Sequence, residues 1–415
     1  MEIKKLRYVL LCLICVNVLS SYADRSNLAI AILPITKEFN YTPFQVGKIF
    51  STFYIGYTFN QTIGGYLSDR FGAKWILFLA CFVWSVSEFL TIYCASNFRL
   101  FLLIRIFLGL GEGLAFPAIH SFIAKWFLKK EQSTAVACMM GSMYLGTALA
   151  LLISPSLIAI SWKNVFIVFS AIGFVWLLPW ALLSSSYPTS SKWISNNERA
   201  LISEYTTIDA RPAVQRKRKR IPWKKIWTSK AVWAIIVAQY TNSYAFYVLL
   251  NYLPTYLEQY GYELDQIGYL TLIPYVLQFI FTLIATKLDR IDKPAAFKRQ
   301  FFQQTAVLIP AFCLIMSRLV DGKIGLAFLF IGMGINSFNV FGVQVSHLDI
   351  APNFSGLVFG IGNTAGNLPG VVGLAITGWI LEFSTWNWVF IICVSHYLVG
   401  SLVWYKWSTT KICIE

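Results

Sequence analysis

Twelve apolar runs, each long enough for a helix to cross a hydrocarbon core of about 30 Å, constrain this chain more than any other feature. They lie near residues 8–35, 44–68, 74–95, 98–123, 133–160, 163–185, 230–257, 264–287, 300–317, 323–347, 354–382 and 386–407. Backbone amides and carbonyls find no water in lipid, so each run must satisfy them internally, and a helix does so. The expected fold class is an all-α polytopic membrane protein. Composition agrees: 57% of the 415 residues are hydrophobic and 13% are charged, with a mean hydropathy of +0.61, outside the soluble range. The first run follows Lys4, Lys5 and Arg7 in the manner of a signal peptide, but it continues through ADRSNLAIAILP and reads as an uncleaved span.

A net charge of +15 invites a nucleic-acid partner, and the placement of the charges argues against one. With both termini cytoplasmic, 26 of the 34 Lys and Arg fall in cytoplasmic segments. Six fall in outer loops (Lys37, Lys48, Arg99, Lys163, Arg318 and Lys323), and Arg25 and Arg105 fall inside runs. This bias is the positive-inside rule, and it predicts cytoplasmic termini. The run QRKRKR, Gln215 to Arg220, then reads as an anchor at anionic headgroups. The eight cysteines lie mostly within apolar runs, so no disulfide framework is expected, and Cys12 and Cys15 are assigned to packing.

The longest hydrophilic stretch divides the runs six and six. The predicted domains are an N-terminal bundle, 1–185, a cytoplasmic basic connector, 186–229, and a C-terminal bundle, 230–415. Two such fused bundles pack around a central cavity and expose a solute alternately to each side. Within the connector, NNERALISEYTTI suits a short amphipathic surface helix.

Between the second and third runs stands GGYLSDRFGAKW, Gly64 to Trp75. Its glycines permit close helix approach and a tight turn, and Asp69 and Arg70 place opposite charges at the membrane boundary. It resembles the loop signature of the major facilitator superfamily, matched at Gly65, Leu67, Ser68, Asp69, Arg70, Gly72 and Lys74. The corresponding loop of the second half, ATKLDRIDKPAAFKR, keeps Leu288, Asp289 and Arg290 without the glycines.

Ionisable residues at membrane depth cost roughly 2.5–3.5 kcal/mol on insertion scales, so they should face a cavity or a partner. Arg105 and Glu112 are seven residues apart on one helix, returning to one face about 10 Å apart along the axis. They are too far apart to bond and are placed to bracket a ligand or a water path, with His120 about 80° off that face. Asp24 and Arg25 are adjacent and diverge by about 100°, so one faces a cavity and the other a neighbouring helix. An arginine fork suits a carboxylate, and a buried carboxyl exchanges protons near neutral pH. Glu88, which has no partner visible in sequence, is assigned a packing or helix-end role, and His396 a structural one.

The run RIFLGLGEGLAFPAIH, from Arg105 to His120, resembles the fourth helix of the anion:cation symporter family. That family includes sialin, the vesicular glutamate transporters and bacterial hexonate importers. The segment HLDIAPNFSGLVFGIGNTAGNLPGVVG, His347 to Gly373, is similar to the tenth-to-eleventh helix region of the same branch, and RSNL, Arg25 to Leu28, to its first helix. The resemblance implies the major facilitator fold with 12 transmembrane helices, and substrate contacts from Arg25, Tyr57, Gln61, Gln239, Tyr247 and Asn363. It implies proton coupling through Asp24 and Glu112, with Arg105 adjusting how readily Glu112 holds a proton and His120 as a relay. Gly65, Asp69, Arg70, Gly72 and Lys74 form the conformational loop. The expected activity is proton-driven uptake of an organic anion, a carboxylate or sugar acid, by a monomer in a bacterial cell (inner) membrane. No cofactor or metal is expected, and sodium stays open as an alternative to the proton. Two rivals remain. A proton-antiport exporter of drugs or siderophores shares the fold, although the fifth run lacks the G-P pair usual in antiporters; a membrane sensor or enzyme lacks any nucleophile elbow, metal cluster or phosphate loop here.

Overall fold

The computed structural model describes residues 5–209, 222–320, 322–351 and 354–414. Its helices are α1 (Leu6–Phe39), α2 (Pro43–Phe71), α3 (Ala73–Cys94), α4 (Phe98–Trp126), α5 (Lys129–Ile158), α6 (Trp162–Leu183), α7 (Asn196–Asp209), α8 (Trp223–Thr228), α9 (Lys230–Gln259), α10 (Leu264–Asp289), α11 (Ala295–Leu319), α12 (Gly322–Ile335), α13 (Val343–Ile350), α14 (Ser355–Phe383) and α15 (Trp386–Trp407). Taking α12 and α13 as one, twelve spans stand where the apolar runs predict them. Among the described residues, ten are long and apolar enough to cross a membrane. The other two, α2 and α9, are 29 and 30 residues long and carry more polar side chains, among them Gln61, Gln239 and Asn242.

Local chemistry sets the boundaries. Asn97 caps α4, its side chain accepting from the backbone N–H of Arg99 and Leu100. Glu263 and Gln266 form a reciprocal capping box at α10. Gly72 alone joins α2 to α3, with φ of +89°, a region that favours glycine.

One expectation fails in an instructive way: the tenth span is not a single helix. After Ile335 the chain tightens into a 3₁₀ segment, Asn336–Phe341, before α13 begins. Polar side chains replace the interrupted ladder. Asn339 Nδ2 donates to the Asn336 carbonyl at 2.8 Å, and Gln303 Oε1 accepts from the Val343 amide at 3.1 Å. Asn336 Nδ2 donates to Asn242 Oδ1 at 2.7 Å and to the Ala306 carbonyl at 3.0 Å.

The chain divides into two compact units: Met1–Asn40 with Thr52–Lys219, and Tyr41–Ser51 with Arg220–Glu415. In the first, α1 meets α5 at Gly146, where an added Cβ would lie 2.2 Å from the Leu19 carbonyl oxygen. The predicted connector helix exists as α7, and its Glu198 is buried. The Glu198 carboxylate accepts from the Leu6 amide at 2.8 Å and the Arg7 amide at 3.3 Å, capping the first turn of α1. Arg7 also pairs with Glu198 at 3.0 Å and with Glu131 at 3.1 Å. The QRKRKR run lies outside the described residues. In the second unit the first turns of α2 contribute Phe50, edge-on to Tyr252 with ring centroids 5.2 Å apart. There too the tail folds back, the Cys413 and Ile414 amides donating to the Ile350 carbonyl while Ile414 is fully buried.

Candidate functional site

Glycine spacing in α4 builds the site. A Cβ added at Gly109 would come 2.0 Å from the Phe53 carbonyl oxygen of α2, and one at Gly113 2.5 Å from that of Tyr57. One at Gly111 would come 2.8 Å from the Trp84 amide nitrogen of α3. The three glycines let α4 approach two helices at once, and Glu112, between Gly111 and Gly113, is buried as a result. Pro117, one turn on, deprives the Gly113 carbonyl of its helical donor.

Five buried ionisable side chains gather here: Asp24 and Arg25 from α1, Glu88 from α3, and Arg105 and Glu112 from α4. Arg25 pairs with Glu112, Nη2 donating to Oε2 at 2.7 Å and Nε to the same oxygen at 3.3 Å. The Arg25 guanidinium carbon lies over three rings, 4.6 Å from the centroids of Tyr22 and Tyr57 and 4.9 Å from that of Phe53. That of Arg105 sits 5.2 Å from the Phe53 centroid, so one aromatic serves both cations. Glu88 Oε1 accepts from Asn27 Nδ2 at 2.6 Å. Several polar atoms have no hydrogen-bond partner among the described residues: both Asp24 carboxyl oxygens, Glu88 Oε2, Glu112 Oε1, and Arg105 Nε and Nη1. Such atoms are costly when buried, and their concentration here makes this cluster the candidate site.

The structure thus brings Asp24, Arg25, Tyr57, Arg105 and Glu112 together and pairs Glu112 with Arg25 rather than Arg105. Gln61 lies one turn beyond Tyr57, donating to its hydroxyl at 3.4 Å. His120 stands outside the cluster, exposed, farther along α4. Glu88 corrects the sequence reading: it is neither at a helix end nor without a partner, but buried within the charged group.

The second unit holds the remaining candidates in a neutral network. Gln239 of α9 exchanges amide hydrogen bonds with Gln344 of α13 at 3.2 and 3.3 Å. Tyr247 donates to Asn367 Oδ1 of α14 at 2.9 Å, and Asn363 is half-buried one turn before Asn367. At the loop, an added Cβ on Gly72 would reach Ser186 Oγ at 2.2 Å. Lys74 Nζ donates to the Ala181 carbonyl at 2.7 Å, and exposed Arg70 lies 5.3 Å over the Phe71 ring. Gly65 and Asp69 lie in α2, their side-chain environment outside what is described.

The profile of the Major Facilitator Superfamily matches residues 14–374. The chain belongs to the Major Facilitator Superfamily. It is similar to a sodium-dependent phosphate transport protein of Arabidopsis thaliana chloroplasts, 34% identical over 94% of this chain and 77% of the relative. It is 33% identical to an ascorbate transporter of the same organelle and plant, over 99% of this chain and 76% of that one. Among solved structures it matches a D-xylose-proton symporter with a TM-score of 0.76, 16% identity, and coverage of 98% and 99% of the two chains, a likeness of fold alone. This superfamily member is therefore a multi-pass membrane protein and a secondary transporter of a small molecule, not an enzyme.

Sequence reasoning left out Tyr22, Asn27, Phe53, Gln344 and Asn367. Glu88 carried a signal of its own, since an acid inside an apolar helix is a functional candidate by default. The partnership of Gln344 with Gln239, across 105 residues, had none.

Proposed function

We propose that this transporter imports an organic anion together with protons by alternating access. The Arg25–Glu112 pair carries the reading. A substrate carboxylate offers Arg25 the kind of partner Glu112 now provides, so substrate and ionised Glu112 compete for one guanidinium. A proton on Glu112 removes its charge and frees Arg25 for the substrate; when the substrate leaves, Arg25 returns to Glu112 and the proton departs. Leaving either charge buried without a partner costs about 3–5 kcal/mol, which ties the two events together. Asp24 is the second proton-binding group, and the charge of Arg105 adjusts how readily Glu112 holds its proton. Tyr57, Gln61, Gln239, Tyr247 and Asn363 are assigned to the remainder of the substrate, and His120 to a proton relay, on the family resemblance.

Relatives named for anions, phosphate and ascorbate support an anionic substrate. The rings of Tyr22, Phe53 and Tyr57 around Arg25 favour a carboxylate with a carbon skeleton over inorganic phosphate, because they offer the substrate apolar surface. The excess of basic residues in the cytoplasmic segments supports cytoplasmic termini. A single chain in a cell (inner) membrane is the proposed working form.

The test uses the full chain in proteoliposomes, with ascorbate, sugar acids, dicarboxylates, amino acids and phosphate offered across a pH gradient. Wild type is expected to accumulate a carboxylate as protons enter. Glu112→Gln is expected to lose accumulation while retaining exchange of labelled for unlabelled substrate. Accumulation surviving in that variant, or driven by sodium with no response to pH, overturns the assignment.

A further inference from the structure

The cluster holds three acids and two bases, all buried. Ionised together they leave one negative charge uncompensated in a low-dielectric interior, where such a group neutralises by binding a proton. Arg25 is committed to Glu112 at 2.7 Å. Arg105 makes no ion pair within 4.0 Å among the described residues, and α3 and α4 run antiparallel across the short link at 95–97 with Trp84 against Gly111, which brings Glu88, one turn beyond Trp84, level with the turn of α4 next to Arg105. Glu88 also has a donor from Asn27, which suits an ionised carboxylate, whereas neither oxygen of Asp24 has any donor.

The geometry points to Glu88 as a positioning residue: the counter-charge of Arg105, which leaves Asp24 as the carboxyl that carries the resting proton. This deepens the proposed function and rests on its placement of proton exchange in the cluster. With Arg105 balanced by Glu88, Arg105 does not draw Glu112 away from Arg25, and Phe53 stands against both cations. The charged groups that face Glu88 are Asp24 from α1 and Arg105 and Glu112 from α4. The other helix packed on α3 is α6, which meets it at Gly173 against Ser85. The only ionisable side chain of α6, Lys163, is exposed in its first turn.

Infrared spectra of the full chain in liposomes, without substrate or gradient, read this directly through the carbonyl stretch of protonated carboxyl groups. Wild type should show one such band, and Asp24→Asn should remove it. In Glu88→Gln, Arg105 is left to be balanced by Asp24, so the band should titrate at lower pH by about one unit or more, a tenfold change in proton affinity. Glu88→Asp should restore the wild-type titration. Arg105→Gln should show a second band, and the double variant R105Q/E88Q should return to one. If E88Q alone does not fold, the comparison of R105Q with R105Q/E88Q carries the test. An unchanged or raised titration in E88Q, a band that survives Asp24→Asn, or a single band in R105Q overturns the proposal. These spectra contain no transport step, so failure of proton-driven uptake and failure of this charge assignment are separate results.

Discussion

The two units bury polar side chains in opposite ways. In the first, Asp24, Arg25, Glu88, Arg105 and Glu112 are ionisable groups, and several of their atoms have no partner among the described residues. In the second, Gln239 with Gln344, Tyr247 with Asn367 and Asn336 with Asn242 are neutral groups bonded to one another. A neutral paired network holds its arrangement whatever the pH, whereas a charged, partly unbonded one changes with every proton it gains. Under the proposed function, proton response falls to the first unit and shape to the second.

The largest effect should come from taking the cation out of the charged unit. Arg25→Gln leaves Glu112 buried without a partner, at a cost of about 3–5 kcal/mol, and transport should fall by roughly 100-fold or more in proteoliposomes. If uptake survives within tenfold, the pair is not the centre of the site. Gly109→Ala comes next: its Cβ would meet the Phe53 carbonyl oxygen at 2.0 Å, so the lost stability should be about 1–3 kcal/mol, read as a lower melting temperature in detergent. The smallest effect should come from the neutral unit. Tyr247→Phe removes one hydrogen bond, worth about 0.5–1.5 kcal/mol, and should raise KM by roughly 2- to 10-fold while leaving the pH profile of uptake where it was. A displaced pH profile in that variant would break the division of labour between the units.

The spans were legible in the sequence because lipid leaves the backbone a single solution, and length then locates each helix. The ends ran further than hydropathy suggests. The helix α11 begins at Ala295, where a polar turn starting after Pro294 continues out of the apolar run. The break at Asn336–Phe341 was hidden because its cause is tertiary: Asn242 and Gln303, on other helices, supply the bonds that make it tolerable. The same limit applies in the site. Spacing along α4 tied Glu112 to Arg105, yet the partner of Glu112 is Arg25, 87 residues away on a helix that periodicity cannot orient against it. Glu88 showed no partner in the sequence for a related reason, since Asn27 reaches it from across the bundle.

The carboxylate of Glu198 on the first amides of α1 also bears on how the protein is made. Leu6 and its cap are separated by 192 residues, so six spans must leave the ribosome before the opening turn of the first helix gains its charge-assisted bonds. Until the connector helix arrives, that turn relies on water and headgroups at the membrane surface. Completion of the first unit is therefore registered at the point in the chain where it was begun.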